Sequence, residues 1–181
     1  MLTCFAPQND GIHRSAVMAD NDTRRYILTR RWGMEGSKTL LFVGLNPSTA
    51  NGERDDPTLR RLMRFSVTWE YGRLLVCNLF SLVSPHPNDL LGQPDPVGPL
   101  NDSTIHTAVR ESSMVLAGWG SWPGSVSKDR WPEVAERVKH VLKSGLLGNE
   151  IHSLGQNADG SPKHPLYLPR NAKLRMLEVA P

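Results

Sequence analysis

The chain has 181 residues, 39% of them apolar and 22% charged, with a formal net charge of +3. That length favours one globular domain, able to build a core without disulfide or metal staples. Charges or prolines interrupt every apolar run before the ~18–20 residues a membrane span needs, and the two cysteines, Cys4 and Cys77, are too few for a four-cysteine zinc site or an iron–sulfur cluster.

The opening stretch, MLTCFAPQNDG, lacks the basic patch and apolar segment of a secretory signal, so a cytoplasmic location is expected. Residues 1–12 read as poorly ordered. SAVM and RRYILTRRW then suggest a short N-terminal antiparallel strand pair. Lys38–Gly44, KTLLFVG, reads as a buried strand ending in a glycine turn. Asp56 and Pro57 make a helix start, N-cap followed by first-turn proline. Leu59, Leu62, Met63 and Phe65 give that helix an apolar stripe as far as Tyr71-Gly72, with Phe65 and Trp69 read as its core.

Arg73–Asn78 is a second buried strand, within which Cys77 reads as a small buried hydrophobe. A proline-rich loop from Ser81 to Leu100 follows. Asn101 or Asp102 is expected to cap a helix carrying Ile105, Ala108 and Val109, with Asp95 fixing the loop before it. Met114–Ala117 reads as a third strand, ending at GWGSWPG. Trp131–Leu142 reads as a helix with Val134, Val138, Val141 and Leu142 on one face, and Glu150–Leu154 as a fourth strand. The loop GQNADGSPKHPLYLP closes the series. Strands alternating with helices imply an α/β fold of three layers, with a short, mainly four-stranded parallel sheet between helices, plus the N-terminal antiparallel pair.

In parallel sheets ligands sit outside the carboxyl ends of the strands. Three polar segments fall there: Gly44–Ala50, Asn78–Pro87 and Ser161–Pro169. GLNPSTA offers Asn46, Ser48 and Thr49 around the turn formers Gly44 and Pro47, although a plain strand-ending turn explains the same residues. Asn78 closes its strand with an amide that can donate and accept, as reading a base edge requires, or can simply cap the strand. His164, in KHPLYLP, sits at a rigid turn where it could donate to developing negative charge; a surface histidine without a role is the plainer reading. Asp55 and Asp56 are the acidic pair next to the cleft, with helix capping accounting for Asp56. Phe80 and Tyr167 fall on loops where they could stack a base.

Neither a phosphate loop, a dinucleotide fingerprint nor a nucleophile elbow occurs, and no metal-ligand spacing appears among the six histidines. No metal and no cofactor are therefore expected. Arg24-Arg25, Arg30-Arg31 and Arg60-Arg61 permit attraction to phosphate, though solvated faces explain them equally well.

The segments RYILTRRW, GLNPSTANGERDDPTLRR, VCNLF, DPVGPLND and DGSPKHPLYLP, in this order, resemble the bacterial family numbered 1643 among domains of unknown function. More remotely, GLNPS, a strand ending in Asn78 and HPLYLP resemble the uracil-DNA glycosylase superfamily. That resemblance implies a parallel sheet between helices and a base-binding cleft. It implies that Asn46 positions a water near the sugar anomeric carbon. Asn78 would bind the Watson–Crick edge of an extruded base, and His164 would stabilise charge on the departing base. Pro165 and Leu166 belong to the same late loop, from which Leu166 or Leu168 would wedge into the vacated stack.

Departures from the superfamily pattern limit this transfer. Asn46 stands where the most active members have a carboxylate, Leu166 stands where a phosphate-clamping serine is usual, and the cluster-binding cysteines of the thermostable branch are missing. The expected function is a glycosylase-like enzyme hydrolysing the N-glycosidic bond of a damaged or modified base. The alternatives are a non-catalytic binder of a base, nucleotide or nucleic acid in the same cleft, and an interaction protein with a degenerate cleft. DNA or a nucleotide is the expected ligand; no membrane partner is expected, and the oligomeric state is not legible.

Overall fold

Buried apolar strands and a proline-started helix set the architecture, seen in a computed structural model that describes residues 2–4, 10–121, 131–144 and 150–178. The strands are β1 (Leu2–Cys4), β2 (His13–Ala19), β3 (Arg24–Arg31), β4 (Thr39–Gly44), β5 (Arg73–Asn78), β6 (Met114–Ala117), β7 (Ile151–Ser153) and β8 (Arg175–Met176). The helices are α1 (Pro57–Thr68), α2 (Asn101–Arg110) and α3 (Trp131–Ser144). No helix among the described residues is long and apolar enough to cross a membrane.

The sheet corrects the expected fold. It is a single mixed sheet of eight strands in the order β1-β2-β3-β5-β4-β6-β7-β8, rather than a short, mainly parallel four-stranded one. Only β5, β4, β6 and β7 run parallel. The expected N-terminal pair is not separate: β3 joins the parallel block by pairing antiparallel with β5, Leu28 opposite Val76 and Arg31 opposite Arg73. The β2–β3 turn carries Asp20, Asn21 and Asp22 at φ 53°, 53° and 66°, a left-handed conformation that Asp and Asn tolerate better than most side chains. Leu2–Cys4, inside the stretch expected to lack order, pairs with β2, while residues 1 and 5–9 lie outside the described residues.

Each face of the sheet is covered by helix. Leu41, Val43, Leu75, Cys77, Val115 and Ala117 pack with Ile105, Ala108 and Val109 of α2 and Val141 of α3. Leu40, Phe42, Leu74, Val76 and Leu116 pack with Leu59, Leu62 and Phe65 of α1, and Ala16, Met18 and Leu28 extend that core under β2 and β3. Phe65 and Trp69 stack with centroids 5.1 Å apart. Cys77 is buried, and desolvation pushes its thiol up to about 12, so it acts as a hydrophobe.

The α1 start is as read: Asp56 Oδ1 accepts from the Leu59 N–H at 2.7 Å, with Pro57 in the first turn. The α2 start is not. Leu100 occupies the cap position without a side-chain bond, and Asn101 points inward instead. Its Nδ2 donates to the carbonyls of Asn78 (3.0 Å) and Leu79 (2.9 Å), fastening the carboxyl end of β5. Asp95 fixes its loop as expected, accepting from the Gly98 N–H at 2.8 Å.

Candidate functional site

The central strands end together. Gly44 of β4 lies opposite Asn78 of β5, and Ala117 of β6 opposite Val43. Beyond those ends opens a cavity of about 630 Å³. Its base is apolar, from Phe42, Val76, Leu28 and Leu62, and its rim is polar. Gly44 and Gly118 close over the Phe42 ring: a Cβ at either would come within 3.0 Å or 2.5 Å of it. Such a mixture of apolar wall and a few fixed polar groups is the usual chemistry of a ligand site.

Asn46, Asn78 and His164 all line this cavity, although they come from three separate loops or strand ends. Asn46 is fixed by its amide, Nδ2 donating to the carbonyls of Ser84 (2.8 Å) and Pro47 (3.0 Å). Its Oδ1 is the atom left to accept. The Ser84 N–H donates in turn to the Pro47 carbonyl, so the GLNPS turn and the loop after β5 are stitched together.

Asn78 is 4% exposed, and its Oδ1 accepts from Arg25 Nη2 at 2.9 Å. Arginine has only donors, so this contact fixes the amide orientation with Nδ2 on the other side. Nδ2 sits over Gly44, where an added Cβ would approach it to 2.7 Å. The side chain therefore shows the cavity a donor.

His164 receives the Leu166 N–H on Nδ1 at 3.4 Å, an arrangement that places the proton of the neutral ring on Nε2. Burial pushes its imidazole below the ordinary range, and the charge of Asp56 opposes this. Tyr167, 84% exposed, lies at the cavity rim with its ring centroid 6.0 Å from that of His164. Ser48, Thr49, Asp56 and Leu166 also line the cavity, and Asp56 is its one carboxylate among the described residues. Pro47 gives its carbonyl to Asn46 Nδ2, and Pro165, within the late loop, is buried. Within GWGSWPG, Trp119, Gly120 and Ser121 line the cavity; residues 122–124 lie outside the described residues.

Two expected site residues sit elsewhere. Phe80 is buried in the core against α2 and α3 and does not line the cavity. The chain leaves β5 at Asn78, and the N–H groups of Leu79 and Phe80 turn to the Gly44 and Leu45 carbonyls. The alternation that would have kept Phe80 beside Asn78 is thereby broken. Asp55 also faces away from the cavity. It accepts from Arg30 Nε at 2.8 Å and stands 3.8 Å from Arg14, clamping the loop before α1 onto β2 and β3.

Arg25, legible in the sequence only as half of an Arg24-Arg25 pair that permits attraction to phosphate, belongs to the cavity. It is 4% exposed, lines the cavity, and donates from Nη1 to the Ala50 carbonyl (2.9 Å) as well as to Asn78. Its Nε is buried without a hydrogen-bond partner. Desolvation brings its guanidinium down to about 10, with Asp56 opposing, so it stays charged near neutrality. Among the described residues the other buried arginines, Arg14, Arg30 and Arg137, each meet a carboxylate: Asp10, Asp55 and Asp102. Arg25 meets only neutral oxygens.

Comparison with known proteins adds a family. Residues 25–166 match a family model described as protein of unknown function (DUF1643). No curated protein and no solved structure matches the chain.

Proposed function

We propose a function from the cavity, because the chain belongs to the DUF1643 family, a membership that assigns no activity. The reading is hydrolysis of an N-glycosidic bond in a damaged or modified nucleotide, without a metal. The observation that carries it is the meeting of Asn46, Asn78 and His164 on the wall of one cavity. Random surface polar groups from such distant segments rarely converge in this way.

Each group suits a step. The Asn78 Nδ2 donor meets an oxygen of the substrate. Asn46, with its amide nitrogen committed to two carbonyls, offers Oδ1 to a water. As the glycosidic bond breaks, the sugar gains positive charge and the base gains negative charge. His164, neutral with its proton on Nε2, donates to the departing base, and Asp56 supplies negative charge to the same cavity. The water then adds to the anomeric carbon and its proton leaves to solvent.

Purified protein incubated with oligonucleotides bearing deaminated, oxidised or alkylated bases should leave abasic sites, read as alkali-labile breaks. Asn46→Ala and His164→Ala should each slow this by roughly a hundredfold or more, the usual worth of a positioned proton donor or water ligand. Activity untouched by both substitutions would remove these residues from the reaction.

One observation favours a second reading, a binder without turnover. An amide cannot serve as a general base, and Asn46 stands where a carboxylate would activate water. This reading predicts affinity for a base or nucleotide with no product released over hours.

A further inference from the structure

Arg25 presents a physical problem that the glycosidic reading does not solve. A buried guanidinium without a carboxylate in contact is costly to desolvate, which is why buried charges are normally paired. Arg14, Arg30 and Arg137 each contact a carboxylate, whereas Arg25 contacts none and shares the cavity with Asp56 only beyond ion-pair distance. Its neutral partners, the Ala50 carbonyl and Asn78 Oδ1, use two of five donors, and Nε has none. Arg25 is also the buried arginine that lines the large cavity.

A second source of positive potential points at the same space. The cap residue Asp56 and Pro57, Thr58 and Leu59, the first residues of the 12-residue helix α1, line the cavity, so the positive end of that helix dipole faces it. Lys163 stands at the rim, and Ser48 and Thr49 add hydroxyl donors. Among the described residues one carboxylate of the cavity, Asp56, stands against these cations and donors, and one of its oxygens is engaged by the cap.

We infer that Arg25 and Asn78 together form an oxyanion subsite at the inner end of the cavity, for a phosphate or carboxylate group of the ligand. This rests on the reading that the cavity is a ligand site, and names the chemistry of its inner end. Arg25 acts in two ways. Its charge attracts the anion, and its hydrogen bond to Oδ1 compels Asn78 to present Nδ2. A ligand group with an N–H at that point meets donor against donor and is rejected; a charged oxygen is accepted.

The test is a titration of the full chain with inorganic phosphate, acetate, a nucleoside and its 5′-monophosphate, followed by calorimetry and thermal shift. Phosphate or acetate, whichever matches the natural group, should bind alone, and the monophosphate should bind more tightly than the nucleoside. Arg25→Met should weaken that anion binding by roughly ten- to hundredfold, the worth of a charge-assisted hydrogen bond. Asn78→Asp is the control for folding. It places a carboxylate beside Arg25 Nη2, keeps the pair together and should abolish anion binding in a protein that melts no lower than the parent.

Anion affinity that survives both substitutions would overturn the subsite. So would a nucleoside that binds as well as its monophosphate while phosphate and acetate do not bind, a result that leaves the glycosidic reading standing. Phosphate or acetate bound through Arg25, with no base or nucleoside bound, would keep the subsite and remove the glycosidic reading.

Discussion

Arg25 Nη2 donates to Asn78 Oδ1 across 2.9 Å, so a side chain from the antiparallel half of the sheet fixes one from the parallel half. The strand directions make this contact. Because β3 runs opposite to β5, its first residues arrive at the edge where β4, β5 and β6 have their last. A fully parallel sheet would put no strand's beginning there. A β-bulge completes the placement: the β2–β3 register passes from Val17 opposite Ile27 to Met18 opposite Arg25, leaving Tyr26 as the extra residue. Arg25 is thereby turned onto the face of Leu28 and Arg30, toward Asn78 and the cavity. Re-aiming one side chain is a common use of a bulge.

The tight fit above Gly44 gives a first prediction. A Cβ at Gly44 would stand 2.7 Å from Asn78 Nδ2 and 3.0 Å from the Phe42 ring. Asn78 cannot swing aside without breaking its bond to buried Arg25. Gly44→Ala should cost about 1–3 kcal/mol in chemical denaturation, as overpacking usually does, and should remove ligand binding at the Asn78 end. A variant that melts with the parent and binds normally would show the amide to be loosely held.

What the sequence disclosed follows from how local each signal is. The caps and apolar runs of β4, β5 and α1 are decided within a few neighbouring residues, so Asp56-Pro57 and TLLFVG could be read directly. Asn46, Asn78 and His164 were legible because strand ends in an α/β chain gather at one edge. The partner strand of β3 was not, because nothing in RRYILTRRW says which neighbour it joins. Arg25 was hidden twice, once by that pairing and once by the bulge, which breaks the period-two pattern and makes Arg24-Arg25 look like a solvated pair. Phe80 and Asn101 were misplaced for a related reason: Phe80 lies two residues beyond the end of β5 and Asn101 is the first residue of α2, where the chain direction changes.

Asp55 offers a sharp separation of structural from chemical roles. It holds Arg30, 0% exposed, at 2.8 Å, and Arg30 Nη2 also donates to the Asn51 carbonyl at 2.7 Å. Asp55→Ala should therefore cost about 3–5 kcal/mol, the usual result of stranding a buried charge. Arg30→Met in the same chain should return part of that loss, giving a large coupling energy in a double-mutant cycle. An Asp55→Ala protein of parental stability would refute the clamp.

His164 carries a pH dependence whose sign can be worked out. Burial holds its folded-state pKa below the ordinary histidine range. In the unfolded chain the ring protonates near about pH 6.5. Below that point the unfolded state binds more protons, so stability falls with pH until the folded ring titrates too. The contribution is complete above the unfolded pKa and lost as pH drops through the folded one. Melting curves at about pH 7 and about pH 5 should show a smaller acid loss for His164→Gln than for the parent. Equal losses would mean that the ring titrates as it does in water.

Asp56 joins helix capping to cavity charge, and two substitutions separate them. Its Oδ1 bond to the Leu59 N–H satisfies the start of α1, so Asp56→Ala should cost about 0.5–2 kcal/mol. Asn caps about as well as Asp, so Asp56→Asn should melt close to the parent. The electrostatic effect has the opposite sign for a ligand. Asp56 is the carboxylate that shares the cavity with Arg25 and His164, and its charge raises the proton affinity of both. Neutralising it leaves the Arg25 charge and the α1 dipole unopposed, so Asp56→Asn should bind inorganic phosphate or acetate several-fold more tightly. It should also lower the His164 pKa further, visible as an acid shift of the imidazole resonance. If the reaction needs negative charge opposite a developing sugar cation, the same variant should lose turnover while gaining anion affinity. A variant that binds anions more weakly than the parent would place Asp56 among the ligand's direct partners.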